Sequence, residues 1–159
     1  LAEKRYIFFI DDYQFERVWN NPQQYVEKLK QYVCVATPDF SPYGDMPLAT
    51  QIFNIYRKAW VGAFLQEQGI TVIPTVRAST DPRSLDFYLD GMPKESIVLI
   101  SNMWTKDKEA RKYFVENEYK HMVDTLHPSK VFMYGKELDE IKDDNVEYIE
   151  TFTRGRWGE

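Results

Sequence analysis

The sequence predicts an α/β fold: a mainly parallel sheet of five to six strands with helices on both faces, a doubly wound three-layer sandwich. Three observations carry this. Short apolar runs alternate with longer segments of helical spacing about five times along 159 residues. The apolar runs are near-continuous, as in strands covered on both faces. Most give way to proline, glycine or a polar cluster, where a chain leaves a sheet. Right-handed crossovers then distribute the helices over both faces. The alternative that the same alternation feeds is a partial or distorted (β/α) barrel.

The first strand is the apolar run Tyr6–Ile10, closed by Asp11 and Asp12. Helical spacing follows from Phe15 to Tyr32, with Val18, Trp19, Tyr25, Val26, Leu29 and Tyr32 inward, and Asn21-Pro22 restarts the helix as cap and first position. The second strand, Val33–Ala36, ends in Thr37-Pro38-Asp39, because proline cannot continue a central ladder. The longest helix runs from Pro47 to Gln68, with Ile52, Ile55, Tyr56, Ala59, Trp60, Ala63 and Phe64 recurring at three and four. Gly69 supplies its left-handed cap.

Ile70–Pro74 is the third strand, Arg83–Leu89 a short helical turn, and Ser96–Ser101 the fourth strand. Thr105 caps a helix from Lys106 to Leu126 whose inward set is Ala110, Tyr113, Phe114, Met122 and Leu126. Lys130–Tyr134 is the fifth strand, and Asn145–Phe152 alternates as a last strand with one wetter face. The organisation is one α/β domain over residues 1–152 and a basic, tryptophan-containing tail over 153–159.

Composition bounds the function. Hydrophobic residues at 43% and aromatics at 16% specify a packed globule rather than a disordered chain. A net charge of −5 provides no general footprint for nucleic acid, so nucleic acid is a partner the charge does not favour. The lone Cys34 allows no disulfide within the chain and suits a reducing cytoplasm, the host cell's if the protein is phage-encoded. No signal-peptide pattern opens the sequence, and no apolar run reaches the roughly 20 residues of a membrane span. The chain begins at Leu1, as a piece of a longer protein would.

Phe9-Ile10-Asp11-Asp12-Tyr13-Gln14-Phe15, Thr37-Pro38-Asp39-Phe40-Ser41 with Asp45-Met46-Pro47 and Gln51, Ile73-Pro74-Thr75, Asp90-Gly91 with Pro93, and Tyr134-Gly135 form a recognisable set. It resembles a bacterial and phage family catalogued only as domain of unknown function 4417, and the resemblance covers nearly the whole chain. It implies a phage or mobile-element origin and no catalytic residues. Where the family resemblance implies a glycine-containing loop after the fourth strand, this chain has Asn102-Met103-Trp104.

In a parallel sheet every strand-to-helix loop falls on the carboxyl edge, where ligands bind. That edge collects Asp12, Asp39, Ser41, Tyr43, Asp45 and Gln51 from the first half of the chain. Thr75, Arg77, Ser101, Asn102, Trp104, Tyr134 and Lys136 follow. The favoured function is recognition of an anionic ligand (a nucleotide or nucleic-acid phosphate) or of a host or phage protein through a polar cleft there. One alternative is a metal-dependent phosphodiesterase or nuclease-like hydrolase, with Asp12, Asp39 and Asp45 holding Mg²⁺ or another hard divalent cation. Another is a non-catalytic inhibitor or adaptor of host machinery. Arg154, Arg156 and Trp157 in the tail combine cations with an anchor ring for nucleic acid or a partner surface. His121 and His127 lie on or after the helix before the fifth strand, away from that edge, and no Gly-x-Gly-x-x-Gly or phosphate-loop motif occurs. Histidine-driven, dinucleotide and P-loop chemistries are therefore set aside.

Overall fold

The computed structural model describes residues 5–7 and 12–149. The chain forms two compact units, Leu1–Met92 and Pro93–Glu159. In the first, β1 (Arg5–Tyr6), β2 (Cys34–Ala36) and β3 (Val72–Ile73) make a parallel sheet in that order, with Arg5 opposite Cys34 and Val35 opposite Val72. Pro74 lacks an N–H and separates β3 from β4 (Thr75–Val76). In the second, β5 (Ile97–Ser101), β6 (Lys130–Tyr134) and β7 (Val146–Ile149) are parallel neighbours, with Ser101 opposite Tyr134 and Tyr134 opposite Ile149. The fold is α/β, and among the described residues the sheets are not closed into a barrel.

Local chemistry explains the helices of the first unit. The chain α1 (Asp12–Asn20), a 3₁₀ turn (Pro22–Tyr25) and α2 (Val26–Leu29) restarts where Pro22 stands at the first helical position. Pro47, with φ −52° and ψ 140°, opens α3 (Leu48–Glu67). Gly69, at φ +79°, ends it. The N–H of Ile70 donates to Leu65 O at 3.1 Å and that of Gly69 to Gln66 O at 2.9 Å, the paired bonds of a Schellman cap. Val18, Val26, Leu29, Val35, Phe40, Val61, Leu65 and Ile70 form the core of this unit.

The facing of α3 departs from its apolar periodicity. Ile55 is buried as expected, but Ile52, Tyr56 and Trp60 are exposed, together with Phe53. The inward face carries Gln51, Asn54, Arg57 and Lys58 beside Ile55, Val61, Gly62 and Leu65. Apolar residues line both faces of this helix, so periodicity alone does not choose between them. The choice falls to polar groups that find hydrogen-bond partners inside, since buried polar atoms must be paired.

In the second unit the expected continuous helix is interrupted. Asp107, rather than Thr105, caps α4 (Lys108–Tyr113) by accepting from the N–H of Ala110 at 2.8 Å. A π-helical stretch (Phe114–Tyr119) then leads into α5 (Lys120–Leu126). Its wider turn rotates the following residues, and Glu118 and Tyr119 enter the interior with Phe114, Met122 and Leu126. His127 closes α5 in the left-handed region at φ 47°. The first strand's Phe8–Ile10, Asp11 and the tail with Arg154, Arg156 and Trp157 lie outside the described residues.

Candidate functional site

The polar constellation expected along one edge divides between the two units. Asp12, Asp39, Ser41, Tyr43, Asp45, Gln51, Thr75 and Arg77 belong to the first; Ser101, Asn102, Trp104, Tyr134 and Lys136 belong to the second.

In the first unit Asp39 follows the carboxyl end of β2 and is the most constrained charge. Its Oδ1 accepts from Lys58 Nζ at 3.0 Å and its Oδ2 from Arg77 Nη1 at 3.2 Å. The side chains of Lys58, Asp39 and Arg77 are 0%, 5% and 24% exposed, so two cations share one buried carboxylate. Burial pushes the Asp39 carboxyl up, but the facing Lys58 and Arg77 charges and hydrogen bonds hold it below its ordinary value of 3.8. The folded protein therefore binds fewer protons at Asp39 than the unfolded chain, and stability rises with pH across this titration. That contribution is complete well above 3.8 and is lost as pH falls through the lower folded value. Urea midpoints measured from neutral pH into the acid range are expected to fall below pH 3.8. The fall should be shallower in a variant with Asp39 and Lys58 both replaced by apolar residues.

A second set of bonds surrounds this pair. Asp12, the first residue of α1, accepts from Ser41 N at 3.0 Å and Ser41 Oγ at 3.2 Å. The Ser41 carbonyl accepts from Asn54 Nδ2 at 2.8 Å. Arg57 donates from Nη2 to Asn54 Oδ1 and from Nη1 to Glu16 Oε1, both at 2.7 Å, and stacks its guanidinium 3.9 Å from the ring centre of buried Phe40. Thr75 is fastened to Thr37 through two bonds of 2.9 Å. Gln51 donates to Met46 O and accepts from Ser79 Oγ, which ties the loop before α3 to the chain after β4. Tyr43 and Asp45 point into solvent. Asp12 and Asp39 thus serve different partners, and among the described residues no group of three His, Cys, Asp or Glu side chains converges as a metal would require.

In the second unit, Asn102 clasps the backbone of Lys136: Nδ2 donates to its carbonyl at 2.6 Å and Oδ1 accepts from its N–H at 3.0 Å. Gly135 between the strand and this clasp has φ +144°, and a Cβ there would overlap the Asn102 amide. Ser101 Oγ accepts from Met103 N, which fixes the loop. Trp104 packs edge-on to Tyr113 and Phe114, and its buried Nε1 has no hydrogen-bond partner among the described residues. These residues shape the loops after β5 and β6.

Sequence reasoning missed Asn54, Arg57 and Lys58. The one signal was an Arg-Lys pair placed three or four residues from the inward positions Asn54, Ile55, Val61 and Gly62.

The family model for Domain of unknown function (DUF4417) matches residues 2–152. The chain belongs to this family. Among DUF4417 relatives, the "Gene 1 protein" of Mycobacterium phage L5 is 38% identical over 129 residues, 81% of this chain and 56% of the phage protein. That of Mycobacterium phage D29 is 36% identical over 129 residues, 81% of this chain and 47% of its own length. The chain spans about half the length of these curated relatives. It is a member of a DUF4417 group with phage representatives. No solved structure matches it. Among the described residues, no helix of this DUF4417 chain is long and apolar enough to cross a membrane.

Proposed function

We propose that the first unit is a recognition module for an anionic group, with Lys58 and Arg77 as its cations and Asp39 as the carboxylate that positions them. The observation that supports this is the buried cluster itself: Lys58 and Arg77, from α3 and from the chain after β4, both bond the Asp39 carboxylate beyond the carboxyl end of β2. Cations gathered at the carboxyl edge of a parallel sheet suit a phosphate or carboxylate. Ser41 lies in the loop after β2 and Thr75 begins β4, and Arg77 is the partly exposed member that can meet a ligand. The hydrolase alternative is less well supported, because both oxygens of Asp39 are engaged by cations and those of Asp12 by Ser41. We read the module as a phage-type protein acting in the reducing host cytoplasm, with which the buried, disulfide-free Cys34 agrees.

Calorimetric titration of inorganic phosphate, a nucleoside triphosphate and a short single-stranded oligonucleotide into the full chain tests this at low salt. At least one probe is expected to bind, with affinity that falls as salt is added. Arg77→Gln is expected to weaken it by about tenfold or more, the scale of one charge-assisted hydrogen bond. No binding by any probe, or binding indifferent to Arg77→Gln, would overturn the reading.

A further inference from the structure

The outward face of α3 is an apolar surface of unusual composition. From Ala49 to Gln66 it exposes no charged side chain, because the two charges in that stretch, Arg57 and Lys58, both point inward. Ile52, Phe53, Tyr56 and Trp60 are 46%, 47%, 54% and 39% exposed. Ala49, Phe53, Tyr56, Trp60 and Ala63 follow one another at intervals of four, three, four and three, the spacing of a seam between two helices. Small residues lie at both ends of that seam and large rings at its centre.

The rings are also held in place before any partner arrives. Trp19 of α1 sets its edge against Phe53, Tyr56 and Trp60 at centroid distances of 6.0, 6.3 and 5.3 Å. Phe53 stacks on Tyr56 and Trp60 on Phe64. Preset rings lose little freedom on association.

We infer that this face is a self-association surface on which a second copy of the chain packs α3 against α3 about a two-fold axis. Charge selects this occupant. Each copy carries a net −5, so like charges oppose association unless the meeting surfaces are neutral, and this face is. A two-fold contact places the same patch on both sides, so a neutral heptad seam meets its own complement. A nucleic-acid strand stacking on these rings would need cations alongside for its backbone, and the one α3 cation beside them, Arg57, lies against the Phe53 ring and is engaged by Glu16 and Asn54. The area agrees. Three rings of roughly 150–250 Å² each, about half exposed, together with Ile52 offer on the order of 400 Å² of apolar core. That is the scale of an apolar core within the roughly 800 Å² that each partner gives to a standard interface.

Sedimentation equilibrium and light scattering of the full chain test the proposal. At roughly 100 µM the mass is expected to be twice 18.9 kDa, returning to 18.9 kDa on dilution. Tyr56→Glu places a charge at the centre of the seam and is expected to weaken the dimer by at least about 30-fold, as loss of a hot-spot residue does. Ile52→Lys, which leaves every ring in place, is a second variant should Tyr56→Glu disturb them. Both should keep the wild-type circular dichroism and anion binding, which separates this result from the fate of the anion site. A mass of 18.9 kDa at every concentration would overturn the proposal and leave the face to a different protein or to another part of a longer chain. A dimer indifferent to both variants would overturn it equally.

Discussion

Lys58→Met is expected to lower folding stability by about 3–5 kcal/mol, the cost of breaking a buried ion pair from one side. Lys58 is 0% exposed and Asp39 5%, so the methionine variant leaves a carboxylate in the interior with only Arg77 beside it. Arg77 bonds Oδ2, and Oδ1 would then lose the partner that α3 supplies. A loss of that size is about a fifth or more of the roughly 5–15 kcal/mol that holds a typical domain folded. Urea denaturation at neutral pH measures it. The double variant Lys58→Met with Asp39→Leu is expected to regain much of the loss, because an apolar pair of similar volume avoids the stranded charge. A single variant within about 0.5 kcal/mol of wild type, the range of an ordinary surface change, would show that the pair is not what anchors α3 to the loop after β2.

Gly135→Ala is expected to cost about 3–5 kcal/mol, through two effects that act at once. At φ +144° a side chain is strained by about 1–3 kcal/mol. The added methyl also meets the Asn102 amide, which must swing away and forfeit both bonds to the Lys136 backbone, each worth about 1 kcal/mol. Asn102→Ala removes the clasp without the backbone strain and should cost less. The double variant should fall short of the sum of the two, because the same two bonds are lost only once. Thermal unfolding of the four proteins tests this, and an additive double variant would mean that the residues are not coupled.

The strands and helix limits were legible wherever local chemistry decides them. Pro38 and Pro74 stop strands because they lack an N–H, and β6 spans Lys130–Tyr134 as read from its apolar run. Pro47 and Gly69 bracket α3 through fixed and left-handed backbone angles. Asp39 and Ser41 stand out for a related reason: a polar cluster after a buried strand at a proline is a place where a sheet opens. The π-helical stretch was not legible, since its extra residue per turn leaves no mark on a helical pattern that continues past it.

By itself, then, the sequence determined a parallel α/β chain, its turn chemistry and its membership of DUF4417, all of which follow from near neighbours and recognisable local motifs. Only the tertiary structure decided where the charges and the aromatic rings lie. Lys58 lies 19 residues from Asp39 and Arg77 lies 38 residues from it, so their pairing depends on how α3 and the chain after β4 return to β2. Once Asn54, Arg57 and Lys58 find partners inside, their face of α3 is committed to the interior. Phe53, Tyr56 and Trp60 then fall on the adjoining stripe of the helix, outside that core, with Arg57 at the border against the Phe53 ring.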